Sequence, residues 1–385
     1  MKITDVQATL LKTPYDGPFH PTWAPGQTHT HLYTTLVRIH TDAGITGIGA
    51  GPATGFEGVV GVYTFLRPSL IGQDPFATER IIKEVRSSSV RIGWTWMIEM
   101  ALWDLIGKAA GLPVYKLWGG FADRLKAYAS LGEMRSPEET VELAQRLYDE
   151  GFRALKVRFR DSDVRRDLRI VEAIRSAMGD RMDIMVDANQ AEVMPGSGDY
   201  FVWDYFTALD VARALKDLGV LWLEEPLPRY DFDNIARLTE NSPLPIAGGE
   251  LNRGLHEYKL LIEHGCYHIL QADASFSEGM LQLRKAAAIA EAFGRRFIPH
   301  TWSNGIGLRA NLQVAASLPN AGWLEFPYDP PAWTVEARDR MLLDPLRIDP
   351  DGYVTVPQKP GLGFELDEDA VTKYQLPFDT SILTQ

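Results

Sequence analysis

From about residue 125 the chain repeats one pattern, a short apolar strand followed by a helix. The strand candidates are 127–131, 154–159, 182–186, 220–223, 246–247, 269–271, 297–298 and 323–324, with seven helices between them. Alternating strands and helices pack as a parallel sheet covered by helices, and eight such units close into a (β/α) barrel of the TIM type. Local signals agree with the period. Ser136-Pro137-Glu138-Glu139 reads as an N-cap, a proline at the first helical position and a glutamate completing a capping box.

Such a barrel takes about 250 residues, which leaves about 135 of the 385 to explain. Segments 3–11 and 34–40 are rich in β-branched residues and read as strands, and Asp42-Ala43-Gly44 is a turn into 45–48. The stretch 13–31 carries prolines, Trp23, His20, His29 and His31, and reads as a loop. The Gly-rich run 44–55 lacks the strand–turn–helix setting of a phosphate cradle, so it also reads as a flexible loop. Residues 76–111 turn helical, with Ile98, Ala101, Leu102, Leu105 and Ile106 at helical spacing and Gly111 as the stop; Trp94, Trp96 and Trp103 read as its core. The fold expected is α/β, with an α+β unit over 1–123, completed by the tail 345–385, and a barrel over 124–344.

The chemistry lies in what ends each barrel strand. Lys156 and Arg158 sit on the second, Asp187 ends the third, Glu224 the fourth, Glu250 the fifth, Asp273 the sixth, His300 the seventh and Glu325 the eighth. From Glu224 onward the spacings are 26, 23, 27 and 25 residues, one unit each. In a barrel these positions converge on the C-terminal face, where active sites form. Asp187, Glu224 and Glu250 come from adjacent strands and make an all-oxygen ligand set, which suits Mg²⁺; with no Cys or His among them, Zn²⁺ is disfavoured. Lys156 and Arg158, two apart on a strand, share a face. Arg158 stays charged and is expected to lower the pKa of Lys156 toward that of a usable base. Asp273 beside His300 orients the ring and stabilises its protonated form.

Composition narrows the partners. Lys+Arg 39 against Asp+Glu 51 gives a net charge of −12, which argues against a nucleic-acid or anionic-membrane binder. No apolar run approaches the roughly 20 residues of a membrane span, and the first residues show no secretory signal. Cys266 stands alone, which points to a reducing compartment and a cytoplasmic protein.

The ordered set Met100-Ala101-Leu102-Trp103-Asp104, Leu117-Trp118-Gly119-Gly120, Lys156-Val157-Arg158, Asp187-Ala188-Asn189, Glu224-Glu225-Pro226, Gly249-Glu250, Gln271-Ala272-Asp273, Pro299-His300 and Trp323-Leu324-Glu325 resembles the mandelate racemase subgroup of the enolase superfamily over nearly the whole chain. The resemblance implies Mg²⁺ on Asp187, Glu224 and Glu250. It implies Lys156 as base on one substrate face, the His300–Asp273 dyad as acid/base on the other, and Glu325 as hydrogen-bond donor to a substrate carboxylate oxygen. It also implies that the N-terminal unit is a capping domain, and that the protein is a symmetric homo-oligomer. One departure stands out: racemizing members typically show Lys-x-Lys, and here the third position is Arg158.

The chemistry implied is removal of the proton α to a carboxylate. The leading expectation is dehydration of an acid sugar, an aldonate or aldarate, to a 2-keto-3-deoxy acid. Racemization or epimerization and lactone cycloisomerization are the alternatives within the subgroup, and a non-catalytic metal-binding barrel is the alternative outside it. Candidate substrate contacts are Asn189, Trp302, His20 and Trp23. Tyr200, Trp203 and Tyr205, in the insert 191–206, either wall the pocket or pack.

Overall fold

The structure is a computed structural model that describes residues 1–93, 95–192 and 202–383. Its N-terminal sheet is antiparallel, in the order β1 (Ile3–Phe19), β2 (His29–Thr41), β3 (Thr46–Pro52). Two sequence expectations change here. Much of the stretch read as a loop is strand, because β1 and β2 pair without a break from Asp5↔His40 to Pro14↔His31 and meet again, after a bulge, at Phe19↔His29. Pro14 is tolerated where the ladder gives way to that bulge. The Gly-rich run is likewise ordered as β3. A side chain at Gly47 would meet Ala101 O at 2.0 Å, and one at Gly49 would meet Met97 O at 2.1 Å. These glycines let the strand lie directly on the helix Met97–Ala110.

That helix and its predecessor, Thr78–Ile92, bury their apolar faces with Val6, Leu10, Val37 and Ile39 of the sheet. Gly111 ends the second helix in the left-handed conformation, as a helix stop requires. Trp96 is buried in this core, Trp103 is half-buried against Trp118, and Trp94 lies outside the described residues.

The barrel strands are β4 (Arg124–Ser130), β5 (Ala154–Arg158), β6 (Asp183–Asp187), β7 (Leu223–Glu224), β8 (Ile246–Gly248), β9 (Ile269–Leu270), β10 (Arg296–Phe297) and β11 (Trp323–Pro327). All eight neighbour in sequence order with parallel pairing, and β11 returns to pair with β4; the seam lies between β10 and β11. The intervening helices are Pro137–Asp149, Val164–Met178, Tyr205–Asp217, Phe232–Asn241, Gly254–His264, Met280–Ala292 and Gly305–Ala316. The capping box forms as read: Ser136 accepts from Glu139 N, and the Glu139 carboxylate accepts from Ser136 N.

Strand alternation sorts the side chains. On β5, Leu155 and Val157 join the large core beneath the helices, whereas Lys156 and Arg158 turn inward. Below them the barrel is plugged by Tyr128, Met185, Trp222, Ala247, Ile269 and Ile298. From the insert, Trp203 and Tyr205 pack in the helix-side core, and Tyr200 lies outside the described residues. The tail adds β12 (Tyr353–Thr355) antiparallel to β4, then returns to the first sheet, where Leu376 N–H donates to Leu10 O at 2.8 Å and Phe378 stacks on Phe56. Among the described residues no helix is long and apolar enough to cross a membrane.

Candidate active site

The eight strand ends do converge. Asp187, Glu224 and Glu250 each place a carboxylate oxygen within 4.8 Å of the others, and all three are buried. Their approach needs unusual backbone: Asn189 and Glu225, just past two of the ligands, adopt φ of 46° and 45°. Three buried carboxylates repel one another, so the site demands cations. Glu250 Oε2 is buried with no hydrogen-bond partner. An orphan oxygen in an all-oxygen trio fits a hard divalent ion such as Mg²⁺.

Protein cations also serve this cluster. Lys156 Nζ lies 2.5 Å from Glu224 Oε1, 2.8 Å from Glu325 Oε1 and 3.5 Å from Asp187 Oδ2. Arg158 pairs with Asp187 and donates to Asn189 Oδ1 at 3.3 Å and to Leu131 O at 2.7 Å. Glu224 Oε2 accepts from Gln271 at 2.7 Å and Trp222 at 3.3 Å. Burial, helped by the neighbouring Asp187, Glu325 and Glu250 carboxylates, pushes Glu224 up to about 8 against the pull of Lys156. Burial also resists a charged Glu325, but Lys156, His300 and Arg158 overcome it and hold that carboxyl down at about 2.

The expected lowering of Lys156 by Arg158 is reversed. Burial disfavours the ammonium and Arg158 repels it, but the Glu224, Glu325 and Asp187 carboxylates outweigh both and hold its pKa above the ordinary lysine value. The sequence places Arg158 beside Lys156 without showing how many carboxylates surround the pair.

His300 Nδ1 is 2.9 Å from Asp273 Oδ2, and its Nε2 is 3.4 Å from Glu250 Oε2 and 4.0 Å from Glu325 Oε2. Burial works against the imidazolium, yet Glu250, Glu325 and Asp273 together hold the ring up at about 10. Asn311 fixes the dyad from behind, donating to Asp273 Oδ1 at 3.1 Å and to His300 O at 2.9 Å. It sits mid-helix, where the strand-end pattern carries no signal. Glu325 is pinned by Ser130 Oγ at 2.6 Å and Thr301 N–H at 2.9 Å.

A cavity of about 430 Å³ opens above the cluster. Of the residues picked out by sequence, Trp23, Arg158, Asn189, Glu250, His300 and Trp302 line it. His20 does not: its side chain is 60% exposed and sits 3.3 Å from Glu133. Lys156 is also absent from the lining and is fully buried. Sequence reasoning missed Arg229 and Arg253, which line the cavity from loops after β7 and β8. Their position just past strand-end ligands is the signal that points to them.

Comparison with known proteins gives this geometry a lineage. Residues 6–119 match the mandelate racemase / muconate lactonizing enzyme N-terminal domain, and residues 139–370 match the enolase C-terminal domain-like model. The chain is 32% identical to D-galactarolactone cycloisomerase of Agrobacterium fabrum, over 98% of this chain and all of that one. It is 33% identical to D-galactonate dehydratase of Variovorax paradoxus, over 89% and 93%. The crystal structure of L-talarate dehydratase from Polaromonas sp. JS666, complexed with Mg and L-glucarate, superposes with a TM-score of 0.82 at 25% identity, covering 98% of both chains. With both domains matched and the buried carboxylate trio in place, the chain belongs to the mandelate racemase / muconate lactonizing enzyme family of the enolase superfamily.

Proposed function

We propose that the protein is an acid-sugar dehydratase, which removes the proton α to the carboxylate of an aldonate or aldarate and expels the β-hydroxyl as water. The observation that carries this reading is the placement of His300. It lines the cavity beside Glu250, and Asp273 fixes its ring so that Nε2 faces the trio. Asp187, Glu224 and Glu250 are the residues that would hold Mg²⁺. When bound, the ion supplies positive charge beside the substrate carboxylate, where negative charge grows as the α proton leaves.

The chain's own residues do the rest. The carboxylates beside His300 hold its ring protonated; with a cation on the trio offsetting that charge, the neutral ring takes the α proton, and in its protonated form it donates to the departing hydroxyl. Asp273 and Asn311 hold the ring in place through that exchange. Asn189, Trp23 and Trp302 line the cavity as substrate contacts in this reading. The cavity is large enough for a six-carbon acid. A cytoplasmic, homo-oligomeric enzyme remains the expectation, the assembly being checked by light scattering.

The test is a panel of aldonates and aldarates, with Mg²⁺ and keto-acid detection. Formation of a 2-keto-3-deoxy acid supports the reading, and absence of turnover across the panel overturns it. Lactone cycloisomerization is the second reading, favoured by the full-length match to the Agrobacterium fabrum cycloisomerase. A lactone consumed without loss of water would select it.

A further inference from the structure

The two inward side chains of β5 differ in what they reach. Lys156 lies in the floor, fully buried, and its ammonium has three N–H groups facing three carboxylates: Glu224 at 2.5 Å, Glu325 at 2.8 Å and Asp187 at 3.5 Å. The ammonium is turned to these carboxylates and does not line the cavity. Arg158, one pleat further along, lines the cavity. Its guanidinium is held between two indoles, 5.3 Å from the Trp23 ring of the N-terminal domain and 5.3 Å from the Trp302 ring of the barrel. Backbone and side-chain acceptors at Leu131, Asp187 and Asn189 fix its plane.

The strand order sets what stands across from it. Going round the barrel from β5 one way, β6, β7 and β8 bring the carboxylate trio before His300 is reached at the end of β10. Going the other way, β4 and β11 bring Ser130 and Glu325. A substrate in the middle therefore has Arg158 on one flank and His300 on the other. Arginine does not give up a proton at working pH.

We infer that this is a one-base site: His300 alone exchanges protons with the substrate, Arg158 is a fixed, substrate-contacting cation on the opposite flank, and Lys156 is a counter-ion of the carboxylate floor. The inference rests on the dehydratase reading for its chemistry. His300 Nε2 takes the proton from C2, and the C–H electron pair becomes the C1–C2 π bond of the ene-diolate. The C3–O bond then breaks as that pair moves to C2–C3, and the proton on His300 passes to the leaving oxygen, releasing water. The enol left behind tautomerises to the 2-keto-3-deoxy acid. Because one residue takes the proton and returns it, hydrogen and hydroxyl leave from the same face. Among the described residues that line the cavity on the Arg158 flank, none beside Arg158 is placed to return a proton to C2.

The experiment runs the turned-over sugar acid and its C2 epimer in D₂O with Mg²⁺, following both by NMR. Expected are turnover of one C2 configuration only, no C2 epimer in recovered substrate, and loss of both elimination and exchange, by about 10²-fold or more, in H300N. Arg158→Lys puts a transferable proton on the other flank, and is expected to turn on slow C2 epimerization while elimination falls. Epimerization by the wild type, or C2 exchange that survives in H300N, overturns the inference. A second measurement needs no turnover: binding of oxalate with Mg²⁺, read by indole fluorescence and calorimetry. Expected is a Kd about 10-fold or more weaker in Arg158→Met, measured at Mg²⁺ that saturates each variant because Arg158 also pairs with Asp187. Oxalate affinity unchanged in Arg158→Met removes Arg158 from the substrate site. Failure of the whole sugar-acid panel with the oxalate result intact overturns the dehydratase reading and leaves the assignment of Arg158 standing.

Discussion

Glu99 of the N-terminal domain caps a barrel helix: its Oε1 accepts the backbone N–H of Leu281 at 2.7 Å, in the first turn of the helix 280–292. That helix starts after Gly279, which has no side chain to cap with and adopts a φ of 86°. A side chain at Gly279 would fall 1.6 Å from Glu99 Oε2. Glycine and glutamate are thus matched across the two domains, and the cap is supplied from 182 residues away.

This tie has a pH signature. Burial pushes the Glu99 carboxyl up to about 8, against the pull of its Leu281 and Trp103 hydrogen bonds. A carboxyl raised in the folded state binds more protons there than in the unfolded chain. Its stabilising contribution is therefore full below the ordinary glutamate value of 4.5 and is lost as pH climbs through about 8. Glu99→Gln is expected to flatten the fall in stability across that window, removing on the order of 1 kcal/mol per pH unit. Glu99→Ala, which strands the Leu281 N–H, is expected to cost about 1–3 kcal/mol. Urea unfolding at several pH values checks both.

Removing one ligand of the trio is expected to abolish metal-linked stability. Wild-type protein gains about 2.7 kcal/mol at Mg²⁺ one hundredfold above Kd. Glu250→Gln takes away the carboxylate whose Oε2 has no hydrogen-bond partner, and it should show no rise in Tm when Mg²⁺ is added. A Tm that still climbs with Mg²⁺ in this variant places the ion elsewhere.

The dyad behind the cavity gives a graded pair of variants. Asp273→Asn changes which ring nitrogen of His300 carries the proton, and keto-acid formation is expected to fall by about 10²–10⁴-fold. Asn311→Ala removes the bonds to Asp273 Oδ1 and to His300 O, which should lower kcat by about 10-fold with KM little changed. Equal losses in kcat and KM for Asn311→Ala point to general damage instead.

The contact of strand on helix is tested at Gly49. Alanine there would place a methyl 2.1 Å from the Met97 carbonyl. The expected cost is at the upper end of about 1–3 kcal/mol, measured by denaturant unfolding, with the barrel's ligands untouched.

Much of this was legible one residue at a time. Strand parity put Lys156 and Arg158 on the inner face, and the spacing of Asp187, Glu224 and Glu250 brought three ligands to one rim, because a βα unit returns the chain to the same end of the barrel. The capping box at Ser136 and the stop at Gly111 were equally local. The pairing of β1 and β2 was not, since prolines and aromatics mask a ladder that only the partner strand completes.

By itself, then, the sequence determined an eight-unit barrel with an oxygen-rich mouth, because periodicity and spacing are local quantities. Only the tertiary structure decided that Lys156 sinks among three carboxylates while Arg158 stands in the cavity between Trp23 and Trp302. Parity names the face a side chain shares. How deep it sits, and which charges surround it there, depends on how the sheet curls and what the distant strands bring to meet it.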